Sequence, residues 1–233
     1  MRRFFTSMAL VAVCLAMTAD SSAQSILWDQ QPDTSLTTVI NLDVPAPADV
    51  FSTYLVNDAT FTSNVNISTV ATYITDNTGT YANLITNGVL NIFDGNGLVA
   101  GDDPTSGGDF GPGSINVSAV ELGNNVLAVI ASDLNINLAA GTYFFGLAPS
   151  LNSASDQQEF HFDSGPAVGS ATFARNPGGG FGLPAGTDWF DADGLQPGFS
   201  EAAFTVLGEE VVPEPTTTGF LALGMIGLVS RRR

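Results

Sequence analysis

Lysine is absent from this 233-residue chain, and positive charge of any kind is scarce. The six arginines are Arg2, Arg3, Arg175, Arg231, Arg232 and Arg233, so five of them stand within three residues of a terminus. Of the 23 acids, all but Asp20 and Glu214 lie between positions 24 and 212; 21 acids against Arg175 alone set the net charge of that segment at −20. This excludes a nucleic-acid binder, which needs clustered cations to displace counterions from phosphates. Anionic lipid surfaces are disfavoured for the same reason. Solubility, self-repulsion, cation binding or an acidic extracellular setting fit the balance.

Cysteine is nearly absent too. Cys14 is the only one, and it lies in the N-terminal apolar run, so a chain that loses this run has neither a disulfide framework nor a thiolate metal site. His161 is the only histidine and cannot build a multi-histidine metal site. As part of a strand it would face away from its neighbours Phe160 and Phe162. No nucleophile elbow, phosphate loop or dinucleotide glycine pattern occurs. Carboxylate pairs of the kind that hydrolyse glycosides exist in any chain with this many acids, and none is singled out. No enzymatic activity is expected. Charge is sparse, at 12% of residues, but apolar residues make up 44% and phenylalanine is abundant, so the chain has the material for a packed core.

The first 25 residues are MRRFFTSMALVAVCLAMTADSSAQS. Arg2 and Arg3 give a positive start, residues 4–17 form a mostly apolar stretch, and Ser21 and Ala23 supply the small residues of a cleavage site. A signal peptide over 1–23 is expected, cut between Ala23 and Gln24, with export through the secretion machinery.

The last residues, VVPEPTTTGFLALGMIGLVSRRR, hold three features in order. Pro213 and Pro215 bracket Glu214; proline restricts the residue before it to extended geometry, so this stretch should be open to an enzyme. An uncharged run follows over 219–229, extended to 15 residues by its flanks. As a helix it would reach roughly 22 Å, short of a hydrocarbon core of about 30 Å. Arg231, Arg232 and Arg233 then favour retention on the cytoplasmic side.

This arrangement resembles the PEP-CTERM sorting signal of bacterial surface proteins. The resemblance covers the segment 211–233, with Pro213, Glu214 and Pro215 as the sorting motif, a short transmembrane helix, and Arg231–Arg233 as the retention tail. It implies recognition by a membrane protease-transpeptidase, an exosortase, with transient anchoring in the inner membrane. It also implies a final place at the outer surface or in an exopolysaccharide or biofilm matrix.

The middle, 24–210, is rich in Thr, Val, Asn, Gly and Ser, with short strand patterns and frequent turns. No helical pattern of ten residues appears outside the two terminal segments. Nine or ten strands are expected in an all-β, antiparallel β-sandwich, jelly-roll-like, with a barrel as the alternative. The phase of VNISTVATYIT, starting at Val65, changes at Ser68 and Thr69, which predicts a bulge. Asn87-Gly88 is a hairpin cue, competing with a continuous strand. Gly123-Asn124-Asn125 predicts a hairpin with a long second strand. Trp28, Phe51, Tyr54, Phe93, Phe144, Phe160, Phe162 and Phe204 are the expected core.

Two long loops, over 94–114 and 175–200, are where function concentrates. The first holds Asp94, Asn96, Asp102, Asp103 and Asp109; the second holds Asp188, Asp191 and Asp193. Grouped oxygens of this kind suit calcium. Both DGNG and DADG lack the glutamate that closes a calcium loop, and ordinary Asp-Gly turn chemistry is the competing reading. Trp189, in the second loop beside these acids, is the candidate for stacking on a sugar ring. The expected function is a structural or adhesive exported protein; the alternative is a carbohydrate-binding module, with or without calcium.

Overall fold

The computed structural model describes residues 24–33, 38–45, 49–76, 79–96, 98, 102–151, 160–162, 172–180, 186, 188–194, 199 and 201–211. The expected signal peptide and the whole C-terminal signal from 212 onward lie outside these residues, as do the terminal helices assigned to them. No helix among the described residues is long and apolar enough to cross a membrane.

Among the described residues there are fourteen strands, joined by turns and short 3-10 segments: β1 (Ser25–Gln30), β2 (Thr38–Ile40), β3 (Tyr54–Phe61), β4 (Val65–Thr75), β5 (Asn87–Asp94), β6 (Gly113–Asn116), β7 (Ser118–Gly123), β8 (Val126–Ala131), β9 (Ile136–Leu138), β10 (Gly141–Ser150), β11 (Phe160–Phe162), β12 (Phe173–Arg175), β13 (Phe190–Asp191) and β14 (Phe204–Glu210). They make two sheets, and every pairing between strands is antiparallel. The strand count exceeds the sequence expectation partly because the chain changes sheet or bends inside two apparent strands. SINVSAVEL divides into β6 and β7, which belong to different sheets, and VLAVIASDLNINL breaks into β8 and β9.

In the first sheet β4 is the spine. One of its edges carries β14 along 65–72, and β11 meets it at Ile74; the other edge carries β9 and then β8. The predicted bulge is there: Leu207 pairs with Thr69 and Gly208 with Ile67, which leaves Ser68 without a cross-strand partner. The bulge moves the inward set from Val65 and Ile67 to Val70, Thr72 and Ile74, and all five are buried.

The second sheet runs β13-β12-β3-β10-β5-β6. Its inner residues, among them Ala59, Phe61, Leu90, Ile92, Phe145 and Leu147, close on Val70, Leu127, Val129, Phe204 and Val206 of the first sheet. Phe145 stacks on Phe204 across the interface, centroids 6.0 Å apart. A packed two-sheet core is thus the architecture, as the sandwich expectation requires.

Three sequence expectations need correction. Asn87-Gly88 is not a hairpin turn but the start of β5; Ala148 O would lie only 2.8 Å from a Cβ at Gly88. Phe51 is not core: it lies in a 3-10 turn over Asp49–Phe51 and is 36% exposed. Trp28 is only partly buried against the core, while Phe204 is buried between the sheets and Tyr54, Phe93 and Phe144 are buried in separate clusters on the other face of the second sheet. The side chains of Phe160 and Phe162 lie outside the described set.

Candidate ligand cleft on the outer face of the second sheet

A half-buried strand alternates buried and exposed side chains. β3, β5 and β10 do not alternate; six or seven consecutive residues in each are buried. Both faces of the second sheet are therefore covered, the inner by the first sheet and the outer by the two long loops. Leu98 from the first loop and Trp189 from the second pack against one outer cluster of Val56, Phe93 and Phe144. Trp189 also packs against Tyr54, Val89 and Ala148. Its indole meets Phe93 edge-on, centroids 5.5 Å apart and planes at 73°. Gly146 lies between Phe144 and Ala148 on this face, and it has no alternative: a Cβ there would stand 2.1 Å from Leu55 O.

The loops meet again at one end of this face, around a cavity of about 390 Å³. Asp43, Asp49 and Tyr54 line it from the N-terminal part, Thr105 from the first loop, and Pro177 and Gly178 from the second. The walls are braced. The Tyr54 hydroxyl donates to Asp43 Oδ1 at 2.6 Å and the Ser150 hydroxyl to Asp43 Oδ2 at 2.6 Å. The Asp43 backbone bonds to Pro149 and Leu151. Asp103 Oδ1 accepts from Thr105 N and Oγ1, at 2.8 and 2.7 Å. Asn176 Oδ1 accepts from Gly179 N at 2.6 Å, and Asn176 Nδ2 donates to Gly180 O at 3.1 Å. Burial, and after it the adjacent Asp43 carboxylate, push the Tyr54 hydroxyl far above its ordinary value, so it stays a proton donor.

Arg175 is not among the residues lining this cavity. It pairs with Tyr54 in the β12–β3 register and precedes Pro177 by two residues. It is 6% exposed, and its guanidinium carbon stands 6.0 Å from the Trp189 ring centroid. Arg175 Nε and Nη1 are buried without a hydrogen-bond partner, as are Trp189 Nε1 and Asn91 Oδ1. A cation over an indole gains some attraction, but the π-face does not replace hydrogen bonds to the guanidinium edge.

The predicted calcium ligands are placed differently. Asp94 Oδ1 accepts from Asn96 N at 2.9 Å and Asn96 Nδ2 at 2.7 Å, and Asp109 Oδ2 accepts from Asp94 N at 3.0 Å. Asp191 Oδ1 accepts from Asp193 N at 2.9 Å. These are side-chain-capped turns. Asp103 belongs to the cavity wall through Thr105, while Asp102 is half-buried and Asp188 exposed. Among the described residues no group of three or more His, Cys, Asp or Glu side chains comes together to hold a metal.

Gln24 lies at the opposite end of the sandwich, where its amide donates to Ser68 Oγ and Thr69 Oγ1 beside the bulge. Ala23, Pro213, Glu214, Pro215 and Arg231–Arg233 lie outside the described residues. Sequence reasoning missed Asp43 and Tyr54 as cavity residues and Arg175 as the neighbour of Trp189. For Arg175 the signal was present: a lone cation in a segment of charge −20.

No curated protein matches the chain. A family model described as the PEP-CTERM protein-sorting motif matches residues 211–233, starting one residue after β14 ends. The C-terminal segment is therefore a PEP-CTERM sorting signal, and it implies an exported chain processed at the membrane by an exosortase.

Proposed function

We propose that this chain is an exported protein delivered to the cell surface or the exopolysaccharide matrix, where its sandwich domain has a structural or adhesive role. The observation that carries this reading is the sorting motif over 211–233, directly behind the last strand of the domain. Under this reading the domain is cargo, and its arginine-poor, acidic surface suits a soluble matrix component. Deleting 213–233 tests it. The truncated protein should leave the surface fraction and collect in the periplasm or medium; an unchanged distribution across cell fractions defeats the sorting assignment.

A second reading has its own support. The two long loops converge on one braced cavity, and Trp189 packs against Tyr54 of its wall, which suits a carbohydrate-binding module. A binding rather than catalytic role fits Asp43, whose two carboxylate oxygens are both engaged by hydroxyl donors. On a glycan array, with and without chelator, Trp189→Ala should reduce retention of a bound glycan. No glycan bound in either condition removes this second reading and leaves the sorting assignment intact.

A further inference from the structure

We propose that the bulge on β4 is a receptor for the mature amino terminus: Gln24, once it is the first residue, is pinned there by its side-chain amide and so is kept from closing on itself as pyroglutamate. This goes beyond the function proposed above and rests on the expected signal cut between Ala23 and Gln24, not on the sorting motif.

The first ground is the geometry of the bulge. Ile67 and Val70 both point into the core and are fully buried, so the two residues between them, Ser68 and Thr69, both face out. A regular strand would turn one of the two inward. The extra residue instead sets two hydroxyls side by side on one face. Gln24 Nε2 donates to both, to Ser68 Oγ at 2.5 Å and to Thr69 Oγ1 at 2.9 Å. The following residue fixes the backbone: Ser25 pairs with Gly208, and its hydroxyl donates to Gly208 O at 3.1 Å. Gln24 is thus held both by its side chain and by its link to β1.

The second ground is the groove around it, of about 410 Å³, which Gln24 lines together with Asn66, Asp133 and Glu209. Asp133 is carried there by the turn between β8 and β9. It takes the left-handed backbone that aspartate tolerates, with φ of 57°, and the next residue, Leu134, donates its N–H to Ser68 O at 3.0 Å. While residue 23 is attached, the Gln24 nitrogen is an uncharged amide. The cut turns it into an ammonium in a groove that holds two carboxylates, which attract it.

The chemistry connects the two. An amino-terminal glutamine cyclises without an enzyme. The lone pair of its α-nitrogen attacks Cδ, the Cδ–Nε2 bond breaks, and one proton passes from the α-nitrogen to Nε2, which leaves as ammonia. The side chain must curl back onto its own backbone nitrogen for this. A side chain tied by Nε2 to another strand must first give up those bonds, and the group that has to depart is the one they hold. An ammonium that stays charged beside carboxylates has no lone pair with which to attack.

Mass spectrometry of the amino-terminal peptide of the exported protein, followed during incubation at neutral pH, tests the proposal. Cyclisation lowers the mass of that peptide by one ammonia. Freshly secreted protein should begin at an open Gln24. The folded protein should then cyclise at least roughly tenfold more slowly than the same protein held unfolded in guanidinium chloride, the factor that two modest hydrogen bonds supply. Thr69→Val, which keeps the shape and removes one acceptor, should cyclise severalfold faster than the parent. The folded–unfolded comparison needs no variant, so the test stands even if that substitution disturbs folding. Equal rates in the two states overturn the proposal, as does a folded Thr69→Val protein that cyclises no faster than the parent, or an amino terminus already closed on secretion. A first residue other than Gln24 overturns it together with the expected cut and leaves the sorting motif intact.

Discussion

Tyr54 shows how much one residue can tie together. Its ring is 2% exposed, and its hydroxyl bonds to Asp43, itself bonded to Ser150 and to the backbone of 149 and 151. Burial raises its pKa far above the ordinary value of 10. A group whose folded-state pKa is raised contributes stability that is complete below its unfolded value and is lost as pH rises beyond it. The domain should therefore lose stability above about pH 10, where the unfolded tyrosine ionises and the folded one does not. Tyr54→Phe should lower stability by about 1–2 kcal/mol at neutral pH, since Asp43 loses a donor. The same variant should also flatten the alkaline decline. Denaturant midpoints at pH 9 and pH 11 measure both effects, and a variant as alkali-sensitive as the parent refutes the assignment.

At the scale of elements, β14 holds the first sheet together between two irregular neighbours. β4 skips Ser68 between the partners of Leu207 and Gly208, and β1 skips Leu27 between the partners of Val206 and Leu207. The bulge is tied down by Ser68 Oγ donating to Leu207 O at 3.2 Å and Leu134 N donating to Ser68 O at 3.0 Å. Gly208 is required where the strands crowd: a Cβ there would stand 2.1 Å from Asn66 O and 2.8 Å from Leu27 Cδ1. Gly208→Ala should cost about 1–3 kcal/mol through overpacking. Hydrogen exchange should show β1 and the last residues of β14 opening first, ahead of β8. Uniform loss of protection across both sheets contradicts this local account. Nearby, the β7–β8 hairpin turns on Asn124 and Asn125, with φ of 53° and 61°. Both lie in the left-handed region, the requirement of a type I′ turn, which asparagine tolerates better than most residues.

For the whole molecule, charge and chain direction matter most. Ser25 pairs with Gly208, so the start and the end of the folded domain leave side by side. The cleft lies toward the other end, near the starts of β3 and β5 and the end of β10. A domain held at the membrane by its C-terminal segment would thus present the cleft away from the point of attachment. The −20 charge of the 24–212 segment repels itself at low salt. Raising ionic strength from about 0.01 M to 0.15 M shortens screening from about 30 Å to about 8 Å. The melting temperature should rise by several degrees over that range, and a flat or falling response in calorimetry counts against self-repulsion as a cost to this fold.

Local pattern was enough for some of this. Export and sorting were legible because secretion and membrane enzymes read contiguous segments, charge and greasiness in order, without a fold. The bulge at Ser68 and the hairpin at Asn124-Asn125 were legible because alternation and left-handed backbone are properties of neighbouring residues. Asn87-Gly88 misled because the same dipeptide that suits a tight turn also suits a strand under a close carbonyl, here Ala148 O. The cleft belongs to the other kind. Asp43, Tyr54, Thr105 and Pro177 are brought together from segments up to 134 positions apart, by β12 pairing with β3 and by both long loops folding over one sheet face. No local pattern encodes that meeting: it follows from which faces each sheet must bury, a decision made only when the whole chain packs.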